Sequence, residues 1–388
     1  MIDRSQFRDS YHYALAVASE IAAPGLRLVA RAVSRAGPVP PTSWRTGVII
    51  GSDHIGDVLY RTCSLDALHS GLPDCRWSYL TSVSGAAVLA GNPALADVLP
   101  WTSDRDDHAV DPTKCEELAT RRFDVALCSE NIAHHHAIIL ALKFGIPNRV
   151  GFIRKGLSGL VTLGVTTDGP TSHPAAFRRM VESVTGVPDP SPLRPRIHPS
   201  ATDLRAADSE WQRLAMDDSE FVIASAVTTR QTIGDFPPGF FVDVLRRALV
   251  LAPGARVLLS AAATDRPVLD AIAIDLGERA AGSAGNLHLR SVGAGLRRCA
   301  VFLGADSGPR HLANAAGIPG FFVRNMGATE IGSGKYCPTE IDIAPAGEYL
   351  SPQAMRTALE TVDRDAVASA LVSAARRQAR DSIGGTRS

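Results

Sequence analysis

Residues 304–320, GADSGPRHLANAAGIPG, crowd an acid, a hydroxyl, a proline and two basic side chains into one corner. The apolar run before the polar cluster, CAVFLGA, reads as a short buried strand, and RHLANAAG after it has helix-forming composition. A helix starting there points unpaired N–H groups beyond the strand end, which suits an anion. Ser307 and Gly308 supply such groups, and Gly308 admits a ligand oxygen where a Cβ would stand in the way. Pro309 fits the first turn, and Arg310 and His311 add donors for a phosphate. Asp306 suits a sugar hydroxyl, or caps the helix itself. On residues alone the corner is either an anion site or an ordinary helix start.

A second corner follows the strand-like run FVIASA, where Thr228, Thr229 and Arg230 stand ahead of QTIGDFPPGFF. Two hydroxyls and a guanidinium can cradle a diphosphate, because arginine grips phosphate through paired hydrogen bonds. A polar surface loop is the alternative. The third corner, GVIIGSDHIGDVLYRT, sets Ser52, Asp53, His54, Gly56 and Asp57 between a strand and a helix. It carries neither the GxGxxG spacing of dinucleotide folds nor a Walker lysine. Asp57 either caps its helix, stabilised by the dipole, or presents a carboxylate as a general base. His134, His135 and His136 point about 100° apart on a helix and cannot all hold one ion, so no metal site is expected.

These corners need a frame, and the chain supplies one twice. After residue 45, strand-like runs alternate with helical periods: TGVIIGS, RWSYLTS, ADVLPW, FDVALCS and NRVGF, with GDVLYRTCSLDALHSGLP and AHHHAIILALKFG as helices. The proline-rich GVPDPSPLRPRIHP interrupts the rhythm near residues 186–199. It then restarts with FVIASA, ARVLLSA, NLHL, AVFLGA and GFFV as strands and GFFVDVLRRALVLA as a helix. The pattern predicts an α/β protein of two doubly wound, Rossmann-like domains facing a cleft. The expected divisions are an N-terminal helical segment and linker (1–44), a first domain (45–195), a second (196–350) and C-terminal helices (351–388).

Composition narrows the partners. The 40 basic and 40 acidic residues cancel, so no overall field holds a polyanion and nucleic acid is not an expected partner. Cys63, Cys75, Cys115, Cys128, Cys299 and Cys337 lack metal-type spacing and read as scattered thiols of a reducing cytoplasm. Abundant alanine and arginine, with few lysines, fit a GC-rich bacterial gene. The N-terminal YHYALAVASEIAAPGLRLVARAVSRAG carries Glu20, Arg27, Arg31 and Arg35 and is broken by Pro24 and Gly25. It therefore has no span of about 20 apolar residues and reads as one or two amphipathic helices. Because apolar stripes usually face protein, membrane association is not expected.

Three stretches together, GSDHIGDVLYRTCSLDAL, ASAVTTR…DFPPGFF and GADSGPRHLANAAGIPG, resemble the heptosyltransferases of glycosyltransferase family 9. FDVALCSENIAHHH…GIPNRVGFIRKG and SHPAAFRRMVESVTG are similar to first-domain segments of that family, and the resemblance runs from about residue 45 to 345. It implies a GT-B enzyme that moves a heptose or higher sugar from a nucleotide-diphospho-sugar, ADP-linked or GDP-linked, to a small-molecule or saccharide acceptor. Inversion by direct displacement without metal or cofactor is the implied chemistry. Asp57 then matches the general base. Thr228, Thr229, Arg230, Asp306, Ser307, Gly308 and His311 match the donor side. Ser52, His54, Gly56, Glu130, Asn131, His135, Arg154 and Lys155 are the expected acceptor side.

The chain departs from the family in QTIGDFPP, where Ile233, Gly234 and Asp235 replace the usual lysine. Arg230, Arg324 and Lys335 are the cations that could stand in, with Arg230 the expected catalytic one. CSENIAHHH also differs from the family's Gln-Gly pattern, which points away from a lipopolysaccharide-core acceptor, and the GC-rich composition points to a small molecule of a natural-product pathway. A catalytically inactive sugar-nucleotide binder and a GT-B epimerase are the alternatives.

Overall fold

The structure is a computed structural model. It describes residues 10–51, 54–102, 112–128, 134–153, 156–167, 171–216, 219–228, 238–285, 287–324, 334–345, 347 and 351–384. Contacts divide the chain into two compact units, Met1–Ser191 and Pro192–Ser388.

In the first unit six parallel strands form one sheet in the order β3-β2-β1-β4-β5-β6. They are β1 (Thr46–Ile50), β2 (Arg76–Ser82), β3 (Asp97–Thr102), β4 (Val125–Cys128), β5 (Asn148–Phe152) and β6 (Leu163–Val165). The helices are α1 (Ser10–Ile21), α2 (Ala23–Val33), α3 (Ile55–Arg61), α4 (Leu65–Gly71), α5 (Val83–Leu89), α6 (Pro112–Thr120), α7 (His134–Lys143) and α8 (His173–Thr185). Alternate strand residues enter different cores. Ile49, Val125, Leu127 and Val150 join one, and Val48, Ile50, Leu80, Ala126 and Cys128 the other. Both faces are thus covered, which is why these strands read as unbroken apolar runs.

The second unit repeats the plan in the order β12-β11-β10-β7-β8-β9, again with every pair parallel. Its strands are β7 (Val222–Ala226), β8 (Arg256–Ala261), β9 (Ala280–Ala284), β10 (Val301–Ala305), β11 (Gly320–Val323) and β12 (Glu340–Asp342). Its helices are α9 (Ala201–Arg213), α10 (Pro238–Leu251), α11 (Arg266–Leu276), α12 (Leu289–Leu296) and α13 (Gly308–Ala316). The helices Pro352–Glu360 and Arg364–Gly384 follow, and Met355, Leu359, Leu371 and Val372 enter the same core as Ile223, Leu259 and Leu303.

The structure corrects several expected elements. NLHL is not a strand, since Leu289 already begins α12 and the strand is the preceding AAGSA of β9. That strand lacks bulk because α11 lies close: a Cβ on Gly282 would stand 2.1 Å from a Leu269 methyl. The expected helix GDVLYRTCSLDALHSGLP is two helices, α3 and α4, joined by a tight turn at Thr62–Ser64. Strands β6 and β12 were not expected; at three residues each, they are too short to show a period. Cys63, Cys75, Cys128, Cys299 and Cys337 are buried free thiols, and burial pushes Cys75, Cys128 and Cys299 up to about 12.

Candidate functional site

In each sheet the strand order reverses once, between β1 and β4 in the first and between β7 and β10 in the second. Beyond the carboxyl ends of such a strand pair lies a crevice that open α/β sheets use for ligands. The described residues of all three corners singled out in the sequence lie at these two places.

The second unit's corner is the more completely defined. Gly304 of β10 pairs with Ala226 of β7, so Asp306 and Thr228 leave the sheet side by side, two residues beyond that pair. The strands approach closely here. A Cβ on Gly304 would sit 2.4 Å from the Ala226 carbonyl oxygen, so only glycine fits. Ser307 is the N-cap of α13, in extended conformation and with no side-chain capping bond, and Gly308 and Pro309 open the helix. Its first N–H groups therefore face the crevice, at the positive end of the helix dipole. Thr228 is half-buried; Thr229 and Arg230 lie outside the described residues.

Ser307, not Asp306, is the N-cap residue of α13. Asp306 Oδ1 accepts from Arg310 Nη1 at 2.7 Å, one helical turn on. Arg310 in turn is not a surface phosphate donor, contrary to the sequence expectation: it is 1% exposed, so any ligand is shut out. Arg310 Nε donates to Glu340 Oε1 at 2.5 Å, and Nη2 to the Gly334 carbonyl at 2.7 Å. The guanidinium carbon stands 3.4 Å from the Phe322 ring centre. Burial works against the Arg310 charge, but the Asp306 and Glu340 carboxylates outweigh it and hold the guanidinium protonated well above its ordinary range. Burial likewise pushes the Glu340 carboxyl up, yet Arg310, Asn314 and the Tyr336 N–H together hold it below the usual carboxylate range.

Glu340 is the centre of this network. One oxygen accepts from Arg310 and, at 2.7 Å, from Asn314 Nδ2; the other accepts from the N–H groups of Tyr336 and Cys337 at 2.9 and 3.0 Å. The Tyr336 hydroxyl, thus fixed, lies 2.6 Å from His311 Nδ1 and accepts from Asn314 Nδ2 at 3.1 Å. The two rings stack with centres 5.5 Å apart. His311 is consequently held with its Nδ1 edge turned to Tyr336, and Nε2 is 3.9 Å from Asp306 Oδ1. Of the stand-in cations, Arg324 is 3% exposed and bound to Asp342 at 3.0 Å and to the Pro345 carbonyl at 2.8 Å. It serves the β11–β12 edge instead. Lys335 is exposed, next in the chain to Tyr336.

At the first unit's corner, Asp57 lies in the first turn of α3, half-buried, behind half-buried Gly56; His54 is the exposed N-cap residue. Arg61, one turn after Asp57, is fully buried: its Nη1 donates to the Tyr79 hydroxyl at 3.1 Å, and its carbon lies 5.2 Å from the Tyr60 ring centre. A Cβ on Gly51 would stand 2.7 Å from that Tyr79 hydroxyl, so the end of β1 presses directly on the arginine's partner. His135, half-buried in the first turn of α7, follows β4 on the other side of the switch point. Ser52, Glu130, Asn131, Arg154 and Lys155 lie outside the described residues.

Sequence reasoning missed Glu340, Tyr336, Asn314 and Arg61. The one available signal was the spacing of Arg310 and Asn314, which stacks two polar groups on one side of a short helix. Among the described residues no three His, Cys, Asp or Glu side chains gather as a metal site.

Two parallel doubly wound sheets are the architecture of the GT-B class of glycosyltransferase. The model of glycosyltransferase family 9 (heptosyltransferase) matches residues 115–321, more than half of the chain. The chain belongs to that family and is a glycosyltransferase. The glycosyl transferase family 9 structure from Veillonella parvula superposes with TM-score 0.69 at 16% identity, covering 88% of this chain and 99% of its own. E. coli ADP-heptose lps heptosyltransferase II gives 0.65 at 16% identity, covering 86% and 99%. E. coli heptosyltransferase WaaC with ADP-2-deoxy-2-fluoro heptose gives 0.57 at 16%, covering 81% and 99%. No curated protein sequence matches the chain.

Proposed function

We propose that the protein moves a heptose or related higher sugar from an ADP-linked donor, with GDP as the other candidate base, to a small-molecule or saccharide acceptor, with inversion and without a metal. The observation that carries this reading is the meeting of Thr228 and the Asp306–Gly308 loop at the β7/β10 switch point, beneath the open end of α13. The ADP preference rests on two structural neighbours, one titled an ADP-heptose heptosyltransferase and one containing an ADP-linked fluoroheptose.

The parts divide as follows. The α13 N–H groups and the threonine hydroxyls bind the diphosphate, and Asp57 takes the proton of the acceptor nucleophile as it attacks the anomeric carbon. The bond from that carbon to the diphosphate oxygen breaks, and the nucleoside diphosphate leaves with the electron pair. Arg230 meets the charge on that oxygen, assisted by His311; Lys335 is the next cation near this corner. A cytoplasmic setting is consistent with the five described cysteines being unpaired, and no described helix is long and apolar enough to cross a membrane. The Ala- and Arg-rich composition and the divergent CSENIAHHH segment favour an acceptor from a natural-product pathway.

The donor assignment is tested by melting the protein with ADP, GDP and UDP. A ligand at a hundred times its dissociation constant adds about 2.7 kcal/mol to stability. ADP is expected to give the largest shift, with no need for magnesium. No shift with any of the three overturns the donor site. The commitment of Arg324 to Asp342 favours a second reading, a binder without turnover, because it removes one cation that could replace the lysine. Bound nucleotide with no glycosylated product from any acceptor would select it.

A further inference from the structure

The N-terminal helices were expected to turn their apolar side toward protein, and α2 does so only in part. It buries Ala23 and Ala30, at 5% and 2% exposure, and packs a partly buried Leu26 against the first unit's core. Its other large apolar side chains face outward, with Leu28 67%, Val29 53% and Val33 49% exposed, and Ile21 just before it 79%. At about 100° per residue, Leu28, Val29 and Ala32 lie opposite the buried alanines, while Arg31 edges that face and Arg27, one turn before it and exposed, stands nearer the buried side.

The helix is held firmly to its unit, so this exposure is built in. Glu20 accepts from the Ser158 N–H at 2.8 Å and from its hydroxyl at 2.5 Å, and Ser19 Oγ accepts from the Leu157 N–H at 3.0 Å. At the far end Arg149 donates to Ser34 Oγ at 2.9 Å, the Arg35 N–H to the Gly145 carbonyl at 3.2 Å, and the Arg35 guanidinium to the Ala119 carbonyl. Cβ contacts at Gly156 and Gly159 would strike Ala16 and Ala23, so the 156–160 turn presses directly on the two helices.

We propose that α2 is a membrane-surface helix. It seats Ile21, Leu28, Val29 and Val33 at the headgroup level of an anionic bilayer, with Arg27 and Arg31 on lipid phosphates. Charge decides the occupant. Residues 21–45 contain arginines and no Asp or Glu, and the nearby Glu20 is taken up by Ser158. A second copy docked on this face would offer Arg27 and Arg31 no acidic partner from the same segment, whereas anionic headgroups supply one for each. An apolar face edged by basic residues is the pattern of interfacial helices, and each arginine near an anionic surface contributes about fivefold in binding. At 11 residues the helix is far too short to span.

The test uses the full chain in sedimentation with vesicles of phosphatidylcholine alone or mixed with phosphatidylglycerol, at low and high salt. Binding to the mixed vesicles, weakened by salt, is expected. Leu28→Glu with Val29→Glu should weaken it by at least about tenfold. Arg27→Glu with Arg31→Glu, at exposed positions that leave the fold intact, should abolish the preference for phosphatidylglycerol. The arginine pair keeps the test decisive if the glutamate pair at 28 and 29 misfolds. Failure of the native chain to bind mixed vesicles overturns the proposal, as does unchanged binding by the arginine variant. A dimer in solution that the glutamate pair dissociates, without vesicle binding, assigns the face to a second copy and also overturns it.

Discussion

At the β7/β10 corner, Asp306, Arg310, His311, Asn314, Tyr336 and Glu340 lock one another beneath the ligand position. The β1/β4 corner, among the described residues, rests on one buried guanidinium, Arg61, set among Tyr60, Tyr79 and Phe177. Both corners follow from the same sheet topology, so in the proposed function the difference lies in what each must hold. A diphosphate presents a fixed shape and charge, and donors braced from behind by such a network bind it without reorganising at the moment of reaction. An acceptor varies with the pathway, and its corner needs one well-placed carboxylate more than a rigid cage. Buried ion pairs favour one geometry at the expense of adaptability, which suits the first task.

The comparison breaks first at Asp57. If the β1/β4 corner supplies the general base, Asp57→Ala should lower turnover by about 10² to 10⁴-fold while the thermal shift with ADP stays unchanged. A capping role alone would instead cost about 1 kcal/mol of stability and spare turnover. Activity and melting temperature on one preparation separate the two.

The next largest effect belongs to the rigid corner. Glu340→Ala leaves Arg310 buried with one carboxylate fewer, and loss of one partner from such a pair costs about 3–5 kcal/mol. Urea unfolding measures it. Glu340 also carries a pH signature. Because its folded carboxyl is held below its ordinary value of about 4.3, its stabilisation is complete above that pH and fades as pH falls through the lower folded value. The advantage of the native chain over Glu340→Gln should therefore shrink in acid. An advantage that holds constant from pH 6 to pH 3 would contradict the ion-pair account.

Arg230→Ala asks which cation meets the leaving group. A loss of about 10²-fold or more in kcat, with the donor KM little changed, marks an interaction that grows as charge develops. A mutant unchanged in both shifts the role to Lys335, and Lys335→Ala should then show the loss.

The smallest change sharpens the cage itself. Tyr336→Phe removes one hydrogen-bond partner each from His311 and Asn314, an effect of about 1 kcal/mol. It should appear in donor affinity far more than in unfolding midpoint. An equal loss in both would make Tyr336 a brace for the fold.

Much of this architecture is legible along the chain because it is local. TGVII, VALC and VFLGA are strands because a parallel sheet buried on both faces leaves no polar alternation, and composition alone shows that. The D-S-G-P corner announces a helix start through its own capping and proline preferences. Where the neighbour decides, the chain is silent. AAGSA looks like no strand, since its small residues answer to Leu269 on another element.

The residues of the two corners divide along the same line. Asp57, Ser307 and Gly308 stand out because their place at a strand-to-helix turn follows from adjacent residues. Glu340 does not, for it acts on residues 26 and 30 positions earlier, and contacts at that distance leave no period to read. The apolar stripe of α2 is plain in its spacing, yet periodicity states only that a face exists. Which side meets solvent is settled by what the rest of the unit packs against it: here Ala23 and Leu26 meet the turn at residues 156–160, Ala30 enters the core, and Leu28, Val29 and Val33 are left outside.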